Sequence, residues 1–373
     1  MIAVALRGTA ATFIGIGLAR FAFVPLFPAM VAADWVDGEG AALLGALALA
    51  GYLAGAMGGQ ALGRRLGVPA ALDAGAALVV LSFAIGAWNG GLAWLAAGRL
   101  LAGLGGGFLM ALAGPAVQAV VPPERRGAAA GLVIAGVALG IVMGALAMPW
   151  LLLGGPALAW GGLGVVSLAG WLWARRAWPR VVLPPAAPGI GWSEALSGYV
   201  LSGTGVVAPM VYLSDLGVRG HGLGLGTGAM LWAVFGAGAL GGTLLGGGAV
   251  DRWGGARAMR AWLAVQCVGL ALLLAPWPAL LWPGALLAGF AGVGATAVIL
   301  AMLRQAHGAA SAALWARGTA GYAAAQAAMA FAMAALFAAA GGRHGTVFGL
   351  GFALSVAGLW VVSRRRRNAV NFL

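Results

Sequence analysis

The chain has 373 residues, 62% of them hydrophobic and 8% charged; all 21 basic residues are arginine, against eight carboxylates, for a formal net charge of +13. A water-soluble domain of this length cannot be so poor in polar groups, so the composition excludes a soluble fold and leaves lipid as the solvent. Basic charge can serve nucleic acid, but here the arginines cluster in short gaps between apolar runs, as in the cytoplasmic loops of membrane proteins.

In lipid every backbone amide needs an internal partner, which restricts the fold to helices or a closed barrel. A barrel would alternate apolar and polar residues over short segments. Apolar runs of about 18 or more residues recur here instead, so the fold class is all-α and integral to the membrane. Arg20 interrupts the first apolar run, which continues to Val31 and reads as a first span, not a cleavable signal. Twelve spans follow, at about 8–31, 41–62, 70–89, 92–119, 128–152, 157–174, 195–214, 224–249, 258–276, 280–302, 312–340 and 345–362.

Arginine placement tests this division. Arg7, Arg64 and Arg65, Arg125 and Arg126, and Arg175, Arg176 and Arg180 fall at alternate gaps, as do Arg252 with Arg257 and Arg260, Arg304 with Arg317, and the tail 364–367. The intervening gaps carry Asp34, Asp37, Glu39, Asp215, Arg219 and Arg343. The positive-inside rule then puts both termini in the cytoplasm and requires an even number of spans. The gap from Arg175 to Trp192 is the longest on that side, and Pro179, Pro184, Pro185 and Pro188 make it a stiff linker. The expected domains are residues 1–178 as an N-terminal six-helix bundle, 179–193 as a cytoplasmic linker and 194–373 as a C-terminal six-helix bundle. Trp35, Trp88, Trp150, Trp178, Trp192, Trp277 and Trp282 at span ends read as interface anchors.

Two loops repeat. Gly247-Gly248-Ala249-Val250-Asp251-Arg252-Trp253-Gly254 follows span 8, and Gln60-Ala61-Leu62-Gly63-Arg64-Arg65-Leu66-Gly67 follows span 2; 251 − 64 and 254 − 67 both equal 187. Together they resemble the Gly-x-x-x-Asp-Arg-x-Gly loop of the major facilitator superfamily, although Gln60 and Arg64 depart from the pattern. Gly98-Arg99-Leu100-Leu101-Ala102-Gly103 is similar to that superfamily's helix 4 arginine motif, and Pro123-Glu124-Arg125-Arg126-Gly127 to its next loop. The opening Gly17-Leu18-Ala19-Arg20-Phe21-Ala22-Phe23-Val24-Pro25-Leu26-Phe27-Pro28 resembles the first helix of the YbfB/YjiJ-like branch. The resemblance implies twelve transmembrane helices in two six-helix bundles, with helices 1, 4, 7 and 10 lining a central cavity. It also implies transport of a small molecule by a cell-membrane protein of the bacterial inner membrane. Asp251, Arg252 and Gly254, with Arg64, Arg65 and Gly67, are then expected to latch one conformation.

Arg20 lies about eleven residues from Val31, roughly 16 Å along the helix and near mid-bilayer. A charge at that depth costs about 3 kcal/mol, so it belongs to a wet cavity with a function. Arg99 sits at comparable depth in span 4. Two guanidiniums with no carboxylate at the same depth favour an anionic solute; alternatively one or both cap carbonyls where prolines break span 1. Tyr199 in span 7, and Tyr322 and Gln326 four apart on one face of span 11, complete the candidate solute contacts. Isolated Ser and Thr residues in the second half are set aside, because they bond their own backbone. Asp73 and Glu194 lie near helix ends and His221, His307 and His344 in loops, so no midplane proton carrier stands out. Cys267 reads as a buried, inert thiol.

The sequence has no paired aspartates, Ser/His pair or zinc spacing at depth, and the Gly105-Gly106-Gly107 cluster lacks the Lys-Ser or Lys-Thr of a phosphate loop. No enzyme activity and no cofactor is expected. The expected partners are a small solute and membrane lipid, with no nucleic acid, and the protein is expected to be a monomer. The alternative is a transport-inactive sensor or assembly protein that kept the transporter fold.

Overall fold

The computed structural model describes residues 2–122, 125–182, 194–307 and 311–364. Pro123, Glu124, the prolines at 184, 185 and 188, Trp192 and the arginines 365–367 lie outside the described residues, as do the side chains of Arg126, Glu194, His307 and Arg317. The described residues form fourteen α-helical segments and no strand. They are α1 (Ile2–Thr12), α2 (Phe23–Ala32), α3 (Gly38–Leu66), α4 (Val68–Gly86), α5 (Leu92–Val120), α6 (Arg126–Leu151), α7 (Gly155–Arg175), α8 (Glu194–Gly205), α9 (Val207–Asp215), α10 (Leu225–Trp253), α11 (Gly255–Leu274), α12 (Leu281–His307), α13 (Ser311–Ala339) and α14 (His344–Ser363).

Eleven described stretches are long and apolar enough to cross a bilayer. One of them, Gly131–Ala177, runs through both α6 and α7. The α1–α2 pair forms the first span and α8–α9 the seventh, so the fourteen segments make twelve spans. This is the all-α membrane architecture that the hydropathy required.

The helices overrun the apolar cores read from sequence, because polar residues near a bilayer surface still prefer internal backbone pairing. Arg7 lies inside α1, Arg64 and Arg65 end α3, and Asp251 and Arg252 end α10. The expected loops around them shrink to single glycines. Gly67 (φ 83°, ψ 148°) separates α3 from α4 and Gly254 (φ 78°, ψ 150°) separates α10 from α11. Only glycine adopts this backbone readily. The two turns have matching dihedrals 187 residues apart.

The same offset governs packing. Gly51, Gly55 and Gly107 in the α3–α5 pair correspond to Gly238, Gly242 and Gly294 in the α10–α12 pair, since 51 + 187 = 238, 55 + 187 = 242 and 107 + 187 = 294. A methyl group at Gly51 or Gly55 would strike the Leu100 or Leu104 carbonyl, and one at Gly238 or Gly242 would strike the Leu286 or Phe290 carbonyl. Backbone meets backbone along both seams. Without a hydrophobic force between helices in lipid, such close van der Waals approach is what holds them together.

The chain divides into two compact units: Met1–Pro184 with Leu223–Ala233, and Pro185–Gly222 with Val234–Leu373. In the first, Thr9 and Thr12 of α1 donate hydrogen bonds to the Leu132 and Val133 carbonyls of α6. Asp73 of α4 accepts the indole N–H groups of Trp171 (2.6 Å) and Trp178 (3.0 Å), with Arg175 3.6 Å away. Trp178, expected at the membrane interface, is buried on that carboxylate; Trp88, Trp150, Trp277 and Trp282 are exposed at span ends as anchors should be. In the second unit Cys267 is buried and free.

Candidate functional site

The first span does not run as one α-helix. After α1 the backbone widens into a π-helix over Phe13–Leu18, passes through a turn and resumes at Phe23. Pro25 forces part of this. The Val24 N–H bonds the Phe21 carbonyl three residues back, not the Arg20 carbonyl four back. The carbonyls of Ala19 and Arg20 are then served from another helix: Arg99 of α5 donates Nη1 to Ala19 O at 2.8 Å and Nη2 to Arg20 O at 3.4 Å. Its guanidinium stacks 4.3 Å from the Phe23 ring centre and 5.8 Å from Trp160, and the residue is 3% exposed. Of the two readings open in the sequence for Arg99, the geometry matches the carbonyl cap.

Arg20 sits on the interruption itself and is half-buried. Its guanidinium lies 4.9 Å from the centre of Phe21 and 5.2 Å from that of Tyr52 on α3. Trp232, whose turn of α10 belongs to this unit, backs Phe21 at 5.7 Å. The described carboxylates of the unit stay at helix ends: Asp37 caps α3 through the Gly40 N–H, Asp73 holds the two indoles, and Asp34 and Glu39 are exposed.

The seventh span breaks in the same manner. Pro209, which has no N–H, follows the joint at Val206 between α8 and α9. Gln326 of α13 is fully buried and donates to the Gly203 carbonyl at 3.2 Å, so it too is spent on a broken helix. Tyr199 and Tyr322 come together, their rings stacked at 4.5 Å and 18°, with the Tyr199 hydroxyl 3.3 Å from Thr296 Oγ1. Tyr199 is buried; Tyr322 keeps partial exposure. Beside the break, Gln266 exchanges hydrogen bonds with Ser202 and donates to Ser355 Oγ at 2.9 Å. Isolated hydroxyls were set aside on sequence grounds, and this buried network was therefore missed.

Of the six residues expected to form conformational latches, Gly67 and Gly254 make the turns described above. Asp251 accepts a hydrogen bond from Gln305 Nε2 at 3.0 Å. Arg64, Arg65 and Arg252 are exposed.

A third polar cluster was read from the sequence as loop. Asp215, fully buried at the end of α9, receives Arg219 Nε and Nη2 at 2.6 Å each, and its Oδ2 lies 2.7 Å from His344 Nε2. Arg219 is in a π-helix over Leu216–Gly220 and His344 is the first residue of α14. The Asp-x-x-x-Arg spacing was the available signal, since it puts opposite charges on one helix face. His221 follows in the connection to α10. Burial and the nearby His344 hold its pKa below the ordinary histidine value.

No group of three metal-binding side chains occurs among the described residues. The features present are broken helices, buried caps and a half-buried guanidinium on an aromatic platform, which suit solute binding and conformational change. Solved structures place the fold. The chain superposes on the xylose transporter XylE from E. coli with a TM-score of 0.77 at 12% identity, covering 99% of this chain and 98% of that one. For the nucleoside transporter NupG the TM-score is 0.76 at 10% identity, with 96% and 98% covered. For the human organic anion transporter MFSD10 it is 0.68 at 17% identity, with 96% and 99% covered. No curated protein matches the sequence. The fold is thus shared with these transporters. The chain belongs to the MFS-type transporter family described as "Uncharacterised MFS-type transporter YbfB", whose model matches residues 12–362.

Proposed function

We propose that this protein carries a small organic anion across the bacterial inner membrane by alternating access, with both termini in the cytoplasm and Arg20 as the residue that receives the solute. The observation that carries the proposal is the placement of Arg20, at the interruption of the first span on the rings of Phe21 and Tyr52. A guanidinium on an aromatic platform presents a planar fork suited to a carboxylate. Arg99 acts through the backbone: by holding the carbonyls on either side of the Arg20 α-carbon it fixes where the Arg20 side chain leaves the helix. Tyr322, partly exposed and backed by Tyr199, is the aromatic solute contact of the second unit, with Gln326 setting the bend of the seventh span. Fold neighbours named for xylose, nucleosides and organic anions do not choose a substrate; the guanidinium at the break in the first span supports the anion.

Thermal unfolding of the purified protein with a panel of mono- and dicarboxylates, beside neutral and cationic analogues, tests this. Carboxylates should raise the melting temperature of the wild type and of Tyr322→Phe, and leave Arg20→Ala unshifted. Proteoliposomes should then show uptake or exchange of the same compound. Stabilisation by neutral or cationic compounds alone, retained in Arg20→Ala, would refute the proposal. Binding without flux would favour a sensor.

A further inference from the structure

Among the described residues one buried carboxylate is tied to an imidazole: Asp215 and His344, which join the end of α9 to the start of α14 at 2.7 Å. The pair lies at the end of the second unit opposite the Asp251 turn, because α11 starts at Gly255 beside that turn and ends at Leu274, which lines the same cavity as His344. Arg219 donates to both carboxylate oxygens of Asp215. A neutral imidazole that donates Nε2–H to it presents Nδ1 as a lone pair. Nδ1 of His344 faces Gly220 and makes no hydrogen bond to a described residue. The ring also borders a cavity of about 570 Å³, lined by His221, Arg343, Thr346, Leu216 and Leu273.

We propose that His344 is a proton-binding site, and that proton uptake there clamps the end of the seventh span onto α14. A proton from water adds to the Nδ1 lone pair; no other bond forms or breaks, and the ring gains one positive charge. The Nε2–H···Oδ2 hydrogen bond then joins two ions of opposite charge, and their attraction adds to it. The titratable and charged groups around His344 are Asp215 and Arg219 from the end of α9 and its π-turn, with Tyr212 behind Phe337, His221 from the next connection, and Arg343 just before α14. The packed parts of α13 and α11 contribute Phe337 and an apolar end at Leu273–Pro276 without charge. Asp215 is the one acid in the set, so it alone rewards the added charge.

The clamp has something to move. α9 is nine residues long, with a break at Val206 on one side and a π-helix on the other. Single π-turns concentrate where helices change shape for function. The inference rests on the transport reading for its purpose, as a proton-sensitive gate, but the site can be tested with no solute present.

The test uses maleimide labelling of Leu216→Cys in a Cys267→Ser background, where Leu216 is 6% exposed on the cavity wall and a reactive thiol reports opening. Rates are corrected for the intrinsic pH dependence of a free thiol. Labelling should be about fivefold slower at about pH 5.5 than at about pH 8. His344→Gln, which keeps a donor for Asp215 but cannot titrate, should remove that difference; His221→Gln should retain it. Histidine NMR should show the His344 ring titrating in step with labelling. A flat wild-type profile, persistence of the pH effect in His344→Gln, or its loss in His221→Gln would each overturn the proposal. None of these outcomes bears on whether Arg20 binds a carboxylate, so the two readings fail separately.

Discussion

Arg99 Nη1 donates to the backbone carbonyl of Ala19 at 2.8 Å, a side chain from the fifth helical segment completing the backbone of a span eighty residues earlier. In an aqueous loop water would serve that carbonyl; in a bilayer nothing else can. Arg99→Met should therefore destabilise the protein by about 3 kcal/mol, the cost of orphaning two buried carbonyls. Arg99→Lys should recover part of it, since an ammonium cannot span both acceptors as a planar fork does. Thermal unfolding in detergent checks this. Arg20→Lys should leave stability close to wild type, and equal losses at the two positions would refute the division of labour.

Gly67 and Gly254 share one left-handed backbone and open space around the α-carbon. Alanine at either position is thus opposed by backbone strain alone, at roughly 1–3 kcal/mol. The penalties should be alike in Gly67→Ala and Gly254→Ala, as measured by unfolding of each variant. A clearly unequal pair would mean that the two turns are not equivalent.

The glycine seams predict a sharper contrast. Gly55→Leu and Gly242→Leu must force helix backbones apart and should cost about 3 kcal/mol or prevent assembly altogether. Gly248→Leu lies in the same helix as Gly242, meets nothing within 4 Å and should be neutral. Yield of monodisperse protein by size exclusion separates these outcomes.

His221 gives a pH dependence of defined sign. Its folded-state pKa is depressed by burial and by His344, so the unfolded chain binds the proton more readily. The stability it contributes is fully present above the ordinary histidine pKa of about 6.5 and is lost as pH falls through the lower folded value. His221→Gln should flatten that acid-side loss. Melting temperature against pH in the wild type and in this variant provides the measurement.

Spans, their number and the correspondence of the two loops were legible in the sequence because they follow from hydropathy, arginine spacing and a fixed offset of 187 residues; the contraction of each loop to one glycine was not. The caps were harder to see. Arg99 and Gln326 read as solute ligands since each is a polar group in an apolar helix; the carbonyls they serve at Ala19, Arg20 and Gly203 are released only by breaks in other helices. Asp215, Arg219 and His344 read as loop because hydropathy falls where they begin. Their mutual pairing carries the helical backbone past that point. Hydropathy reports what a residue prefers alone and is blind to a partner 129 positions away.

The paired glycine seams decide where the molecule can give. Helices that touch main chain to main chain behave like staves glued edge to edge: sliding by one residue would set a side chain where no room for it exists. Any shape change in either half must then be taken up elsewhere, and the first and seventh spans, already jointed at Phe13–Leu18 and at Val206, are the members built to bend.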